Sequence, residues 1–498
     1  MKRTTKLWAL LLSLVFCALP LFSCTDTAPP STWVPPEDDG TDKSALYSYT
    51  PVITEKLPEI HITTADKENT WATKYKRQDK LMGQIEYTSA LIDVTDCEEE
   101  YRIKEAEAEV KVRGNYTLDY DKKPIRIKFK EKNGMLGLHD EEAYKNWVLL
   151  ADWKDPSLTR NALTLYLGNA ILGSDGFYTS DFRTVEVYLN GEYWGLYLLV
   201  EQQEVKDGRT SVPEVDKGYT GTDIGYFLEY DGYYMYERQL QDGDPTFEMK
   251  NGAGRNGQRG YTVKSDIYSD DQVNFLRNYL DNLYTIIYRA NYQGRYYKFN
   301  EDKTDIVRDP DCQSAWEAVS NVIDIKSLVD TYIINELACD LDVDFSSFYL
   351  SLDMTAEGAQ KLVFEAPWDF DSAYGIWVGM CNDSVGMYAM ERGNPWFDLF
   401  DGVEWFESMV KAKWNEIKKY GVLDNALSFI QTQKTAYAAY YAQNHQRWQK
   451  RLTEGHGSLV PLLETFSDYQ TAQGIAADHL YEWLLRRITY LDGQWSKK

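Results

Sequence analysis

One stretch in the second half of the chain limits the possible folds more than any other. Residues 340–375 read DLDVDFSSFYLSLDMTAEGAQKLVFEAPWDFDSAYG and interrupt a run that otherwise has helical periodicity. Within it, 345–353 and 361–367 alternate apolar and polar side chains, joined by a loop that contains Gly358. The pattern predicts an antiparallel hairpin. The segments that flank the two strands on their open side must then lie at the same end. Asp340, Asp342 and Asp344 stand before the hairpin, and Asp369 and Asp371 stand after it among Trp368 and Phe370. An isolated carboxylate among aromatics is costly, so this cluster calls for compensation. A divalent cation would supply it, because hard cations take oxygen ligands. Paired carboxylates with separated pKa values, set up for acid–base work, are the other chemistry that suits such a cluster. A solvated acidic loop end is the plain reading in a chain of net charge −25, and the neighbouring Trp and Phe argue against it.

Around this hairpin the remaining signals fall into a clear order. Short alternating runs at 59–64, 83–94, 106–114, 123–130 and 146–152 read as strands. Helical spacing follows at 156–172, with Pro156 at a plausible first position. Asn190-Gly191, between the runs 184–190 and 193–201, is the strongest two-residue hairpin signal. Residues 231–260 are irregular, an insertion or substrate-facing flap. Beyond them the pattern is mainly helical, over 270–290, over 325–341 and in three or four helices between Trp405 and Trp495. The order predicts an α+β fold of two lobes, with a β-rich half at about 51–230 and a helical half at about 261–498.

The N-terminus carries an address. Lys2, Arg3 and Lys6 precede the apolar run 7–22, which ends in LFSC and reads as a signal peptide over residues 1–23. That ending resembles the lipobox of bacterial lipoproteins, which implies lipidation of Cys24. The Pro-, Thr-, Ser- and acid-rich residues 24–50 read as a flexible tether to the membrane. The expected location is therefore exported and membrane-anchored, on the extracytoplasmic side. Aromatic residues at 14% and apolar residues at 43% suffice for a large core, and the acidic net charge lacks the footprint of a nucleic-acid binder. Cys97, Cys312, Cys339 and Cys381 are too scattered for a zinc site, and the five histidines stand singly.

The spacing around Asp342 and Asp369 matches the catalytic-loop and metal-loop logic of protein kinases. The wording NELACDLD, SSFYLSLD and APWDFDSAYG resembles the CotH kinase family, the spore-coat-type kinases. VKVRGNYTLDYDKKPIRIKFK, NWVLLADWKDPSLTRNAL, VEVYLNGEYWGLYLLVEQ and YEWLLRRITYLDGQW fit it in order, so the likeness runs from about Pro58 to Trp495. The resemblance implies a two-lobe protein-kinase-like fold and a kinase that moves the γ-phosphoryl of ATP, with Mg2+ or Mn2+, to Ser/Thr of a protein. It implies Asp342 as the catalytic carboxylate, Asp369 as metal ligand and Asp371 as a second ligand or supporting partner. Asp344 remains an alternative to Asp342. Lys122 or Lys123 is expected at the phosphates, with a slight preference for Lys123, taken to share the inner face with Ile125 and Ile127. Arg113, Gly114 and Asn115 form a turn able to direct backbone N–H groups toward phosphate. Glu201 stands near the nucleotide or is merely exposed. Asp155, Arg160 and Asn161 read as structural or lobe-bridging.

One departure matters: Ser347 stands five residues after Asp342, where the family usually carries a metal-binding Asn. The second metal position is thereby weakened. The alternative is a weak or inactive kinase-like surface module that binds a protein or glycan. A glycoside hydrolase fits least, because its two carboxylates would be only two residues apart on one segment.

Overall fold

The structure is a computed structural model and describes residues 33, 40–240, 243–252, 259–377, 383–449 and 468–496. The signal peptide, Cys24, most of the 24–50 stretch and Cys381 lie outside the described residues. Seven strands of the first half close into a barrel: β1 (Glu59–Thr64), β2 (Thr88–Thr95), β3 (Ile103–Val112), β4 (Ile125–Asn133), β5 (Tyr144–Leu150), β6 (Phe182–Leu189) and β7 (Glu192–Glu201). Their order is β1-β2-β3-β4-β5-β7-β6, and β6 returns to pair parallel with β1. The resemblance implied a two-lobe protein-kinase-like fold; the β-rich first half is instead a closed seven-stranded barrel, and closure removes the exposed edges. The strands alternate cleanly. Ile125, Ile127 and Phe129 of β4 point into the barrel with Val110, Trp147, Val187 and Leu199, while Arg126, Lys128 and Lys130 point out. Asn190 and Gly191 both take positive φ in the β6–β7 turn, as their identities require.

A second sheet carries the predicted hairpin. Its order is β14-β13-β8-β10-β9, built from β8 (Gly225–Asp231), β9 (Thr246–Phe247), β10 (Gly260–Val263), β13 (Phe348–Asp353) and β14 (Leu362–Glu365). β13 and β14 pair antiparallel from Tyr349↔Glu365 to Leu352↔Leu362. The irregular 231–260 segment supplies one helical turn, Tyr234–Glu237, and the edge strand β9. A small ribbon of β11 (Tyr297–Phe299) and β12 (Ile306–Arg308), silent in the sequence pattern, interrupts the helical half as well.

The helices pack behind this sheet on one extensive core. Asp270–Gln293 opens with a Ser269/Gln272 capping box. Ile325–Ala338 is buried at every position except Lys326, and its polar residues are buried along with its apolar ones. Residues 40–50, at the end of the stretch read as a tether, lie against the helical half: Tyr47 is buried and stacks on Tyr420 at 5.0 Å, and Lys43 pairs with Glu416 at 2.8 Å. Among the described residues, Cys97, Cys312 and Cys339 are unbridged, and no helix is long and apolar enough to cross a membrane.

Candidate active site

A cleft of about 840 Å3 lies between the outer face of the barrel and the second sheet. The hairpin end forms one wall. Asp342 and Asp369 both line the cleft, together with Ser347, Tyr349 and Trp368. The other carboxylates are engaged elsewhere. Asp344 is held by Arg392 at 2.6 Å, so of the two alternatives Asp342 is the one facing the cleft. Asp340 accepts a hydrogen bond from the Asp342 backbone N–H at 3.2 Å, and Asp371 lies 3.7 Å from the Lys154 ammonium.

Backbone conformation aims these groups. Asp369 and Ser347 take φ of +66° and +61°, a left-handed conformation that non-glycine residues adopt only when their surroundings hold them there. The holding contacts come from the start of the Arg160–Ile171 helix. Asp155 accepts from the N–H groups of Ser157, Thr159 and Arg160, each at 2.8 Å, and pairs with the Arg160 guanidinium. Arg160 in turn donates to the Ala373 carbonyl at 3.1 Å, and the Phe370 N–H donates to the Asn161 side-chain Oδ1 at 2.7 Å. These three residues are structural, and what they fix is the loop bearing Asp369. Tyr374 N–H donates to the Ala338 carbonyl at 2.7 Å. Gly375 has φ +74°, and a Cβ there would sit 2.1 Å from the indole nitrogen of Trp483.

The barrel supplies the opposite charge. Lys111 and Arg126 face each other across β3 and β4, and Arg113 stands two residues beyond Lys111. All three line the cleft with Gly114 and Asn115. Farther along the same strands Lys128 and Lys130 pair with Glu109 and Glu107. Lys111, Arg113 and Arg126 form no such ion pair among the described residues, and the Arg126 Nε is buried with no hydrogen-bond partner there. Burial, then the charges of Arg126, Lys80 and Arg113, push the Lys111 ammonium down to about 8. Cations that crowd one another without an acid between them form a site for an anion. Arg113 also stacks over the Trp368 ring at 5.5 Å, which joins this patch to the Asp369 loop.

The carboxylate wall shows the converse strain. Burial first, then Asp371, pushes Asp369 up to about 7, and burial also raises Asp342. Burial opposes the charge on Lys154, but Asp371, Asp369 and Asp342 together hold its pKa above the ordinary lysine value. Glu229 and Asp231 of β8 add to the acidic side. Glu229 accepts from the Ser347 N–H at 3.0 Å and pairs with Lys264 at 3.2 Å.

Three sequence expectations need correcting. Neither Lys122 nor Lys123 lines the cleft. Lys122 is fully buried, donating to the carbonyls of Ala151 (2.9 Å) and Leu196, and Lys123 donates to the Tyr120 carbonyl. The inner face of β4 is filled by apolar core, so the cations that reach the cleft stand on its outer face. Glu201 is also fully buried, pairing with Arg209 at 3.1 Å and His139 at 3.4 Å; its chain neighbours Gln202, Gln203 and Glu204 line the cleft instead. Lys111, Arg126 and Lys154 were the groups the sequence left unnoticed. Lys111 alternates with Arg113 in VKVRG, which was the available signal for it.

Crowded cations therefore stand on one wall of the cleft and clustered carboxylates on the other. Residues 110–491 match the family described as CotH kinase protein, and the chain belongs to that family. No curated protein matches it. The family suggests a kinase-like function and implies a nucleotide and a divalent metal.

Proposed function

We propose that this chain is an exported, lipid-anchored kinase that transfers the γ-phosphoryl of ATP to Ser/Thr hydroxyls of a protein. The observation that supports it most is the separation of charge across the cleft. Lys111, Arg113 and Arg126, with the N–H groups of the Gly114–Asn115 turn, hold the phosphates. Asp342 orients the acceptor hydroxyl and takes its proton. Transfer of a phosphoryl group needs alignment and fixed positive charge more than covalent help, which suits a cleft whose polar groups are held in advance.

Asp342 and Asp369 fit a metal of the expected kind. Among the described residues no group of three or more His, Cys, Asp or Glu is arranged as a complete metal cage. Magnesium rarely uses one; it takes one or two carboxylates and completes its sphere with phosphate oxygens and water. Asp369 would hold it, with the Ser347 hydroxyl within the same cleft. When bound, the ion would offset the charge that builds on the phosphoryl oxygens. The membrane anchor rests on Cys24 and the apolar run before it.

Ser347 favours a second reading, a kinase-like module that binds a partner without turnover. Thermal denaturation with Mg2+ and ATP tests the nucleotide binding that the kinase reading requires, and label transfer from ATP tests turnover. The kinase reading expects a rise in melting temperature with ATP that Arg126→Ala diminishes. No shift for the wild-type chain would leave the binding module as the better account.

A further inference from the structure

Lys154, like Lys111 and Arg126, is a charged residue of this site that no sequence motif singled out. Its ammonium lines the cleft, flanked by the rings of Tyr116 at 5.6 Å and Trp377 at 5.9 Å. It donates to the Ser372 hydroxyl at 2.9 Å and lies 3.7 Å from Asp371 Oδ1; that same oxygen accepts from the Ser372 hydroxyl at 3.0 Å. The three groups form a closed triangle. Both charged side chains are withdrawn from water, 12% exposed for Lys154 and 5% for Asp371. Asp369, two residues away, faces the cleft, while Asp371 does not.

The triangle is braced from both chain segments that bear it. The Asn161 side-chain amide donates from Nδ2 to Asp152 Oδ1 at 2.6 Å, two residues before Lys154, and its Oδ1 accepts from the Phe370 N–H, one residue before Asp371. One side chain therefore sets the distance between the lysine loop and the carboxylate loop. Asp371 cannot turn into the cleft without breaking an ion pair that is largely desolvated, a costly change.

We infer that Lys154 fixes the metal count of the site: by retaining Asp371 outside the coordination sphere, it limits the cleft to one divalent cation per bound nucleotide. The inference rests on the nucleotide-binding reading above and deepens it. A second divalent ion would need hard oxygen ligands beyond the phosphates. Asp371 is committed to the lysine, and Ser347 offers a hydroxyl alone. Of the other carboxylates in the cleft, Glu229 and Asp244 pair with Lys264, Glu237 pairs with Lys80, and Asp231 accepts from the Thr262 hydroxyl and the Tyr233 N–H. The ammonium is a compact point charge that needs no coordination sphere of its own, and it already brings positive charge to the carboxylate wall beside Asp371. Lys154 is thus a positioning residue, acting through Asp371.

The test counts ions. The purified full chain, saturated with a non-hydrolysable ATP analogue, is titrated with Mn2+ while free Mn2+ is read by electron paramagnetic resonance. The wild type and Lys154→Arg are expected to bind one Mn2+ per nucleotide, and Lys154→Gln, which releases Asp371, to bind two. Two ions in the wild type overturn the inference, as does a single ion in a folded Lys154→Gln chain. Should Lys154→Gln fail to fold, the wild type and Lys154→Arg decide: one ion in each supports the inference, and two in either overturns it. Failure of the wild type to bind the analogue at all is a different result. It removes the nucleotide reading, and the inference with it.

Discussion

At the scale of single residues, the roles divide by whether a side chain stands on the outer face of β4 or precedes that strand. Arg126 and Lys122 stand four residues apart, yet one meets the cleft and the other is sealed beneath the barrel wall. On the proposed reading Arg126→Ala removes a charge-assisted contact to phosphate and raises the nucleotide Kd roughly tenfold, with little loss of stability. Lys122→Ala does the reverse. It strands the carbonyls of Ala151 and Leu196 and leaves a void beside Tyr197, costing roughly 2 kcal/mol or more, while the Kd holds within about twofold. Calorimetric titration and thermal melts on the same pair of variants check both halves. The sequence reading placed the phosphate-side cations at Lys122 and Lys123, which precede the strand and are buried, rather than at Arg126 on its outer face. Periodicity separates two sets of side chains; which set is covered by core depends on closure of the barrel, and no local pattern records that.

At the scale of elements, the acidic hairpin was legible because its first strand, of six residues, is long enough to show period two and its turn contains a glycine. β9 and β10, of two and four residues, are too short to carry a period, so the sheet that seats the hairpin could not be read. The loop after the hairpin was legible in composition but not in geometry. Its shape depends on partners far along the chain: Asn161, Arg160 and Trp483. Gly375 tests that dependence. An alanine there must take a left-handed φ and displace an indole held in the core, at a cost of about 1–3 kcal/mol. Gly375→Ala is expected to lower the melting temperature and weaken metal-dependent nucleotide binding together, read by melts with and without Mn2+. Gly191→Ala, also at positive φ but with open space around its Cβ, is expected to lower the melting temperature alone.

At the scale of the whole molecule, the barrel and the helical half form one frame with the cleft between them. The closing seam joins β1 to β6, more than a hundred residues later, and so was invisible to local reasoning. It places Glu186 directly beside Glu59 in register. Burial first, then Glu59 and Asp96, push the Glu186 carboxyl from 4.5 up to about 7. Between those values the folded chain keeps a proton that the unfolded chain releases, so this group's contribution to stability falls as pH rises through that window. Glu186→Gln mimics the protonated form. It is expected to flatten the pH dependence of stability between about pH 4.5 and 7 and to stabilise the chain by roughly 1 kcal/mol at pH 8. Denaturant unfolding at several pH values measures both.

The central claim is that the two walls of one cleft cooperate in moving a phosphoryl group. It is tested most directly by incubating the chain with Mg2+, γ-labelled ATP and a Ser/Thr-containing protein mixture, then tracking label into protein. The account predicts transfer by the wild type and a loss of roughly 100-fold or more in both Asp342→Asn and Asp369→Asn, with melting temperatures preserved. Transfer that survives both substitutions, or its absence from a wild-type chain that binds ATP, would contradict it.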